Sequence, residues 1–159
     1  MTGIISREEL KKIRQELKKT GKKVVFTNGC FDLIHAGHVD YLAKAKEFGD
    51  VLIVAVNSDE SIRRIKGPTR PITPLNERGF VLSNLKAVDY VTPFEEDTPF
   101  EIINDLVPDV LVKGADWSIE NIVGRETVEG NGGEVKTIEF VNNQSTSNII
   151  KIIVERFSK

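Results

Sequence analysis

The chain has 159 residues, a length that holds one domain with a real core but not two. Its formal net charge of -2 argues against general nucleic-acid binding, which shows as a basic domain, and no apolar run nears the roughly 20 residues that span a bilayer. The single cysteine, Cys30, excludes an internal disulfide and suits a reducing cytosol, where it reads as a small buried residue rather than a nucleophile.

The first segment, "SREELKKIRQELKK", is amphipathic, with Ser6 and Glu9 in capping-box spacing, and predicts a surface helix within residues 1–21. It is charged where a secretory signal has an apolar core, so a cytoplasmic protein is expected. "KKVVFT" is a β-branched run ending in Asn28-Gly29, a strand and its turn. "GHVDYLAKAKEFG" predicts a helix stopped by Gly49. "DVLIVAVN" is almost wholly apolar, the pattern of a central parallel strand covered on both faces.

"SDESIRRIK" predicts a short helix capped by Ser58. The prolines of "GPTRPITP" make a loop, after which Thr73 caps a helix with Pro74 first, reaching about Ala87. "DYVTPF" is a strand, and "TPFEIINDLVP" repeats the helix-start pattern with Thr98 as cap and Pro99 first. "DVLVKG" is a second buried strand, "GRETVEGNGG" a helix ended by glycines, and "EVKTIEF" the last strand. "QSTSNIIKIIVERF" closes the chain as a Ser/Thr-capped amphipathic helix.

Strands alternating with helices, without repeat or linker, predict an α/β fold: a doubly wound, mostly parallel five-stranded sheet of Rossmann type. It forms one domain over residues 1–159, with 22–159 as its core. Ligands in such sheets bind at the carboxyl ends of the strands, where the connections part. Three chemically interesting stretches fall there: residues 28–38, 113–117 and 144–147.

The chain's only histidines, His35 and His38, share the first of these. Three residues apart at a helix start, they project from one face, beside unpaired N–H groups that suit a phosphate. Gly37 leaves room for close approach, and Asp32 is placed to hold one imidazole. Two imidazoles there can donate to charge building on a phosphate oxygen, with no protein nucleophile required. The rival readings are a zinc pair completed by Asp32, for which no further His or Cys cluster exists, and a structural pair in capping or packing. Neither a G-x-G-x-x-G fingerprint nor a Walker loop follows the first strand. Arg63, Arg64, Lys66, Arg70 and Arg78 form a basic cluster, read either as a solvated face or as a polyphosphate cradle. Lys66-Gly67-Pro68 in particular suits a basic loop that closes over phosphates.

"HAGH" following "NGCFDLI" resembles the H-x-G-H signature of a nucleotidyltransferase superfamily, in which both histidines stabilise the α-phosphate of a nucleoside triphosphate. The second signature of that superfamily, near I-S-S-T-x-x-R, is matched by "QSTSNIIK". Ser145, Thr146 and Ser147 fit its hydroxyls, while Ile150 stands at the usual basic position and Lys151 follows. With "VNSDESIRRIKGPTRPI", "VDYVTPFEEDTP" and "PDVLVKGADW", residues 23–153 resemble bacterial heptose 1-phosphate adenylyltransferases in their stand-alone form.

That resemblance implies a Rossmann-like nucleotidyltransferase fold and transfer of AMP from ATP, with Mg²⁺, to D-glycero-β-D-manno-heptose 1-phosphate. The product, ADP-heptose, would feed lipopolysaccharide core biosynthesis. It implies His35 and His38 as catalytic, helped by Lys66, and no metal ligands from side chains. Phe26, Asn28, Gly29, Cys30, Phe31, Asp32, Gly37 and His38 would line the nucleotide. Arg78 would meet the triphosphate, Lys113, Gly114 and Asp116 the adenosine side, and Ser145, Thr146 and Ser147 the phosphates. Trp117 stands where the family has tyrosine and reads as packing. The resemblance also implies a separate heptose kinase, no membrane or nucleic-acid partner, and is compatible with a homodimer. The alternatives are a glycerol 3-phosphate cytidylyltransferase, a pantetheine-phosphate adenylyltransferase, or a module that binds ATP and transfers nothing.

Overall fold

The computed structural model describes residues 3–139 and 145–158; Gln144 and the predicted strand end at Phe140 lie outside them. The elements follow the order α1 (Arg7–Lys19), β1 (Val24–Gly29), α2 (Ala36–Lys46), β2 (Val51–Asn57), α3 (Asp59–Lys66), α4 (Leu75–Ser83) and β3 (Tyr90–Phe94). The second half is α5 (Phe100–Leu106), β4 (Val110–Gly114), α6 (Arg125–Gly130), β5 (Glu134–Ile138) and α7 (Thr146–Phe157), with one 3-10 turn at Ile119–Asn121.

The five strands form one sheet in the order β3-β2-β1-β4-β5, and every pairing is parallel. All seven residues of β2 are buried, as its unbroken apolar run requires. Alternate side chains feed two cores. Val25, Leu52, Val54, Val56 and Val112 meet Tyr41, Leu42 and Ala45 of α2 and Leu82 of α4 on one face. Val24, Phe26, Ile53, Ala55 and Leu111 meet Leu10 of α1, Ile102 and Ile103 of α5 and Val128 of α6 on the other. The predicted surface helix α1 is therefore docked, and Arg14 fixes it by donating to the carbonyls of Leu106 (3.1 Å) and Val107 (2.9 Å) and to Asp109 (3.1 Å).

Connections after β1 and β4 leave in opposite directions, so the sheet parts between these two strands. Their register holds at Val25↔Val110 and Phe26↔Leu111, whereas β1 stays paired with β2 up to Gly29↔Val56. The crevice opens over the carboxyl ends of β1 and β4.

Three predicted boundaries move. His35, not Gly37, begins the α2 turn as its N-cap. Pro74 and Pro99 are the N-caps of α4 and α5, one residue later than expected, so Thr73 and Thr98 do not cap. The Thr73 N–H is held by Asp32 at 2.8 Å, in the loop before the helix. α4 also stops at Ser83, before the expected Ala87, and turns continue the chain to Val88.

Candidate active site

The chain leaves β1 through Phe31, whose φ of 47° is the left-handed conformation that non-glycine residues seldom adopt. That turn sends the Phe31 ring inward, 6% exposed, where it tilts against the His38 ring at a centroid distance of 5.4 Å. His35 is extended at φ -137° and ψ 172°, and α2 starts after it. The two imidazoles lie 4.0 Å apart between centroids. Gly37 contributes here differently from expectation: a Cβ on it would come within 3.1 Å of the His35 ring, so its missing side chain seats His35 rather than a ligand.

Burial lowers the pKa of both histidines, that of His38 to about 4, and the neighbouring His35 adds to the effect on His38. At neutral pH both are uncharged. His38 Nδ1 accepts the backbone N–H of His35 at 3.4 Å, so its proton resides on Nε2, which remains a donor. His35 Nδ1 is buried and has no partner among the described residues. The zinc alternative loses its third ligand, because Asp32 is committed elsewhere.

A cavity of about 790 Å³ fills the crevice, within the range of small-molecule sites. Asn28, Gly29, Cys30, Phe31 and Asp32 line it from the end of β1, and His35 and His38 from the start of α2. Lys66 enters at the end of α3, Lys113, Gly114 and Asp116 after β4, and Ser145, Thr146 and Ser147 at the start of α7. Of the expected residues, Phe26, Gly37 and Arg78 stand outside this lining. Phe26 is fully buried in the core and Gly37 is covered by His35.

Arg78 is the plainest correction. It is 1% exposed, and its guanidinium donates to the carbonyls of Thr73 (2.9 Å), Cys30 (2.7 Å) and Asn57 (3.0 Å) and to Asp59 (2.6 Å). Nothing is left over for a phosphate. Arg70 reaches the cavity instead, pinned through Nε to Asp32 at 2.6 Å, with its terminal nitrogens unpartnered among the described residues.

Asp32 therefore accepts from Arg70 rather than from an imidazole. Its carboxylate also accepts from Ile72 N–H (2.8 Å) and Thr73 N–H (2.8 Å), anchoring the loop that leaves α3 at Gly67, where φ is +96°. Burial pushes its pKa up, but those two N–H groups and Arg70 together hold it below the ordinary value. Lys113 donates to Asn28 across the parted ends of β1 and β4. Burial lowers its pKa to about 8, and Asp116 nearby partly restores it.

At the start of α7, Ser145 accepts the Asn148 N–H (3.1 Å), and Thr146 donates to the Leu33 carbonyl (3.3 Å), tying this helix end to the histidine loop. Lys151 lies outside the cavity, 3.8 Å from Glu155. Cys30 is half-buried; burial raises its pKa above the ordinary thiol value despite Lys66, Arg78 and Arg70, so it is present as an inert thiol. Sequence reasoning missed Tyr41, Asn57, Ile122 and Val123, which also line the cavity, as does Asp97 of the "EEDTP" stretch, and Trp117 joins them rather than the core. Asn57 had a readable signal, as the one polar residue closing the apolar run of β2.

The sequence pattern of the cytidylyltransferase-like family matches residues 26–152. The "Bifunctional protein HldE" of Pectobacterium carotovorum is 54% identical over 157 residues, covering 99% of this chain and 33% of that protein. Its namesake in Klebsiella pneumoniae is 56% identical over 151 residues, covering 95% of this chain and 32% of the relative. The chain thus spans about a third of the length of the curated relatives it matches. The crystal structure of the lipopolysaccharide core biosynthesis protein from Thermoplasma volcanium superposes with a TM-score of 0.63 at 30% identity, over 78% of this chain and 100% of that one.

Proposed function

We propose that this chain, which belongs to the cytidylyltransferase-like family, is a cytoplasmic adenylyltransferase that moves AMP from ATP to D-glycero-β-D-manno-heptose 1-phosphate. A phosphate oxygen of the sugar attacks the α-phosphorus in line. The bond from that phosphorus to the bridging oxygen breaks, and pyrophosphate leaves with its electron pair. ADP-heptose is the other product, and no covalent intermediate with the protein forms. The observation that carries this reading is the neutral histidine pair at the α2 N-terminus, with His38 Nε2–H left to donate. Such donors, fixed before reaction, stabilise the charge that builds on the α-phosphate.

Around them, Lys66 and Arg70 supply positive charge, and the start of α7 offers Ser145 and Ser147 to the departing phosphates. Mg²⁺ would enter with the nucleotide. There it would be held mainly by the triphosphate and water and would neutralise the triphosphate's charge. The relatives named HldE and the lipopolysaccharide core protein favour a glycan precursor as acceptor. A sugar kinase must supply its anomeric phosphate. No helix among the described residues is long and apolar enough to cross a membrane.

The test is pyrophosphate release with Mg²⁺, pairing ATP or CTP with heptose 1-phosphate, glycerol 3-phosphate or phosphopantetheine. Release confined to ATP with heptose 1-phosphate is the expected result. Release with another pair overturns the substrate assignment, and nucleotide binding without release overturns the enzyme.

Lys113 gives this reading a pH signature. Its ammonium is charged below about pH 8, so the KM for ATP should rise as pH climbs through that value, and Lys113→Met should abolish the rise. Stability moves the other way. Between about 8 and the ordinary 10.5 the unfolded chain binds one proton more than the folded chain, so wild-type stability increases with pH across that window.

A further inference from the structure

The cavity has two chemically different rims. Beyond β4, Gly114, Trp117, Ile122 and Val123 form an apolar wall that suits the flat face of a base. Beyond α3 and β3, the wall carries Lys66, Asp97 and Thr98: a cation, a carboxylate and a hydroxyl. A carboxylate repels a triphosphate, so this second rim is poorly made for the nucleotide. It matches a ligand with one phosphate and several neutral hydroxyls.

Asp97 is also held deliberately. Arg64 Nε donates to its Oδ1 at 2.7 Å, and the same guanidinium binds the Glu95 carbonyl. Ser58, the N-cap of α3, donates to the Glu95 side chain (3.0 Å), and Ser61 of α3 to the Glu96 carbonyl (2.9 Å). From α1, Arg7 grips the Glu96 carboxylate with bonds of 2.7 and 2.8 Å. Two helices thus fix residues 95–97, while Asp97 Oδ2 and the Thr98 hydroxyl have no partner among the described residues. Asp97 is open to solvent as well as to the cavity, so its second oxygen is accessible to an incoming ligand.

We propose that Asp97 is a specificity-determining residue whose free carboxylate oxygen accepts hydrogen bonds from the hydroxyls of the acceptor sugar, with Thr98 beside it and Lys66 on the acceptor phosphate. This rests on the adenylyltransferase reading above and locates the acceptor within the same cavity. Arg64 is the positioning residue that holds Asp97. A contact made equally in ground and transition states changes KM and leaves kcat alone.

The experiment is steady-state pyrophosphate release by wild type, Asp97→Ala and Asp97→Asn, varying ATP and heptose 1-phosphate separately. Asp97→Ala should raise the KM for the sugar phosphate by about tenfold or more, as expected for a lost charged hydrogen bond, with the KM for ATP and kcat within about twofold. Asp97→Asn keeps an acceptor oxygen and should recover part of the loss. The Arg64–Asp97 pair is solvent-exposed and worth little to folding, so both variants should fold. An unchanged acceptor KM in active Asp97→Ala overturns this subsite and leaves the reaction standing, as does a parallel loss of ATP affinity and kcat. Wild type that releases no pyrophosphate with the sugar phosphate overturns both.

Discussion

Replacing His38 with alanine should lower kcat for pyrophosphate release by about 10²–10³-fold, the cost of one pre-aimed donor to a developing charge. The Kd for ATP, measured by calorimetry, should change by less than about threefold, because the donor acts on charge that appears only in the transition state. The geometry makes the direction firm. His38 Nδ1 is engaged by the His35 N–H, so only the Nε2 proton can serve, and a pKa of about 4 keeps the ring uncharged at neutral pH. His35→Ala should fall in the same range, for its ring stacks 4.0 Å from His38 and fills the space over Gly37. The double variant should lose little more than either single one, as expected for residues acting as a unit. Near-normal turnover in both single variants would remove the histidines from the chemistry and return them to helix capping.

The doubly wound sheet was legible because its strands carry their burial in their composition. The seven apolar-rich residues of β2 can lie nowhere but between two helical layers, and all seven are buried. The histidine loop was legible because strand ends and helix starts are read from local signals. Charge was the opposite case. Arg70 and Arg78 look alike in the sequence, eight residues apart in one basic stretch, yet one lines the cavity and the other is sealed beneath it. What separates them is where carbonyls from β1, β2 and the loop before α4 converge, which no local pattern encodes. Asp32 misled for the same reason: its proximity to His35 in sequence suggested an imidazole partner, but its acceptors were taken by N–H groups some forty residues away. The "EEDTP" stretch reads in sequence as a helix start capped by Thr98, which leaves any sugar-binding role there weak. Pro99 is the N-cap instead, and the fixing of residues 95–97 comes from α1 and α3, both distant along the chain.

Arg78→Met should cost about 3–5 kcal/mol of folding stability, the range for removing one partner of a buried charged network. In a domain of this size that is a fall in Tm of roughly 6–20 °C, read by thermal denaturation of the free protein. The side chain joins four places that otherwise have no common contact. These are the Cys30 carbonyl where the chain leaves β1, the Asn57 carbonyl closing β2, Asp59 in the first turn of α3, and the Thr73 carbonyl before α4. Methionine fills the volume but leaves those oxygens buried and unpaired, and burying an acceptor without a donor is the larger part of the cost. Lysine should rescue little, because a single ammonium cannot reproduce a planar fork spread over three carbonyls and a carboxylate. The measurement separates two roles for one residue. A phosphate ligand would leave Tm near wild type and raise the KM for ATP, whereas a buried joint lowers Tm first and disturbs the site only through the loops it ties. Arg70→Met supplies the contrast: facing the cavity, it should act mainly on the KM for ATP, although Asp32 would still keep its N–H partners from Ile72 and Thr73.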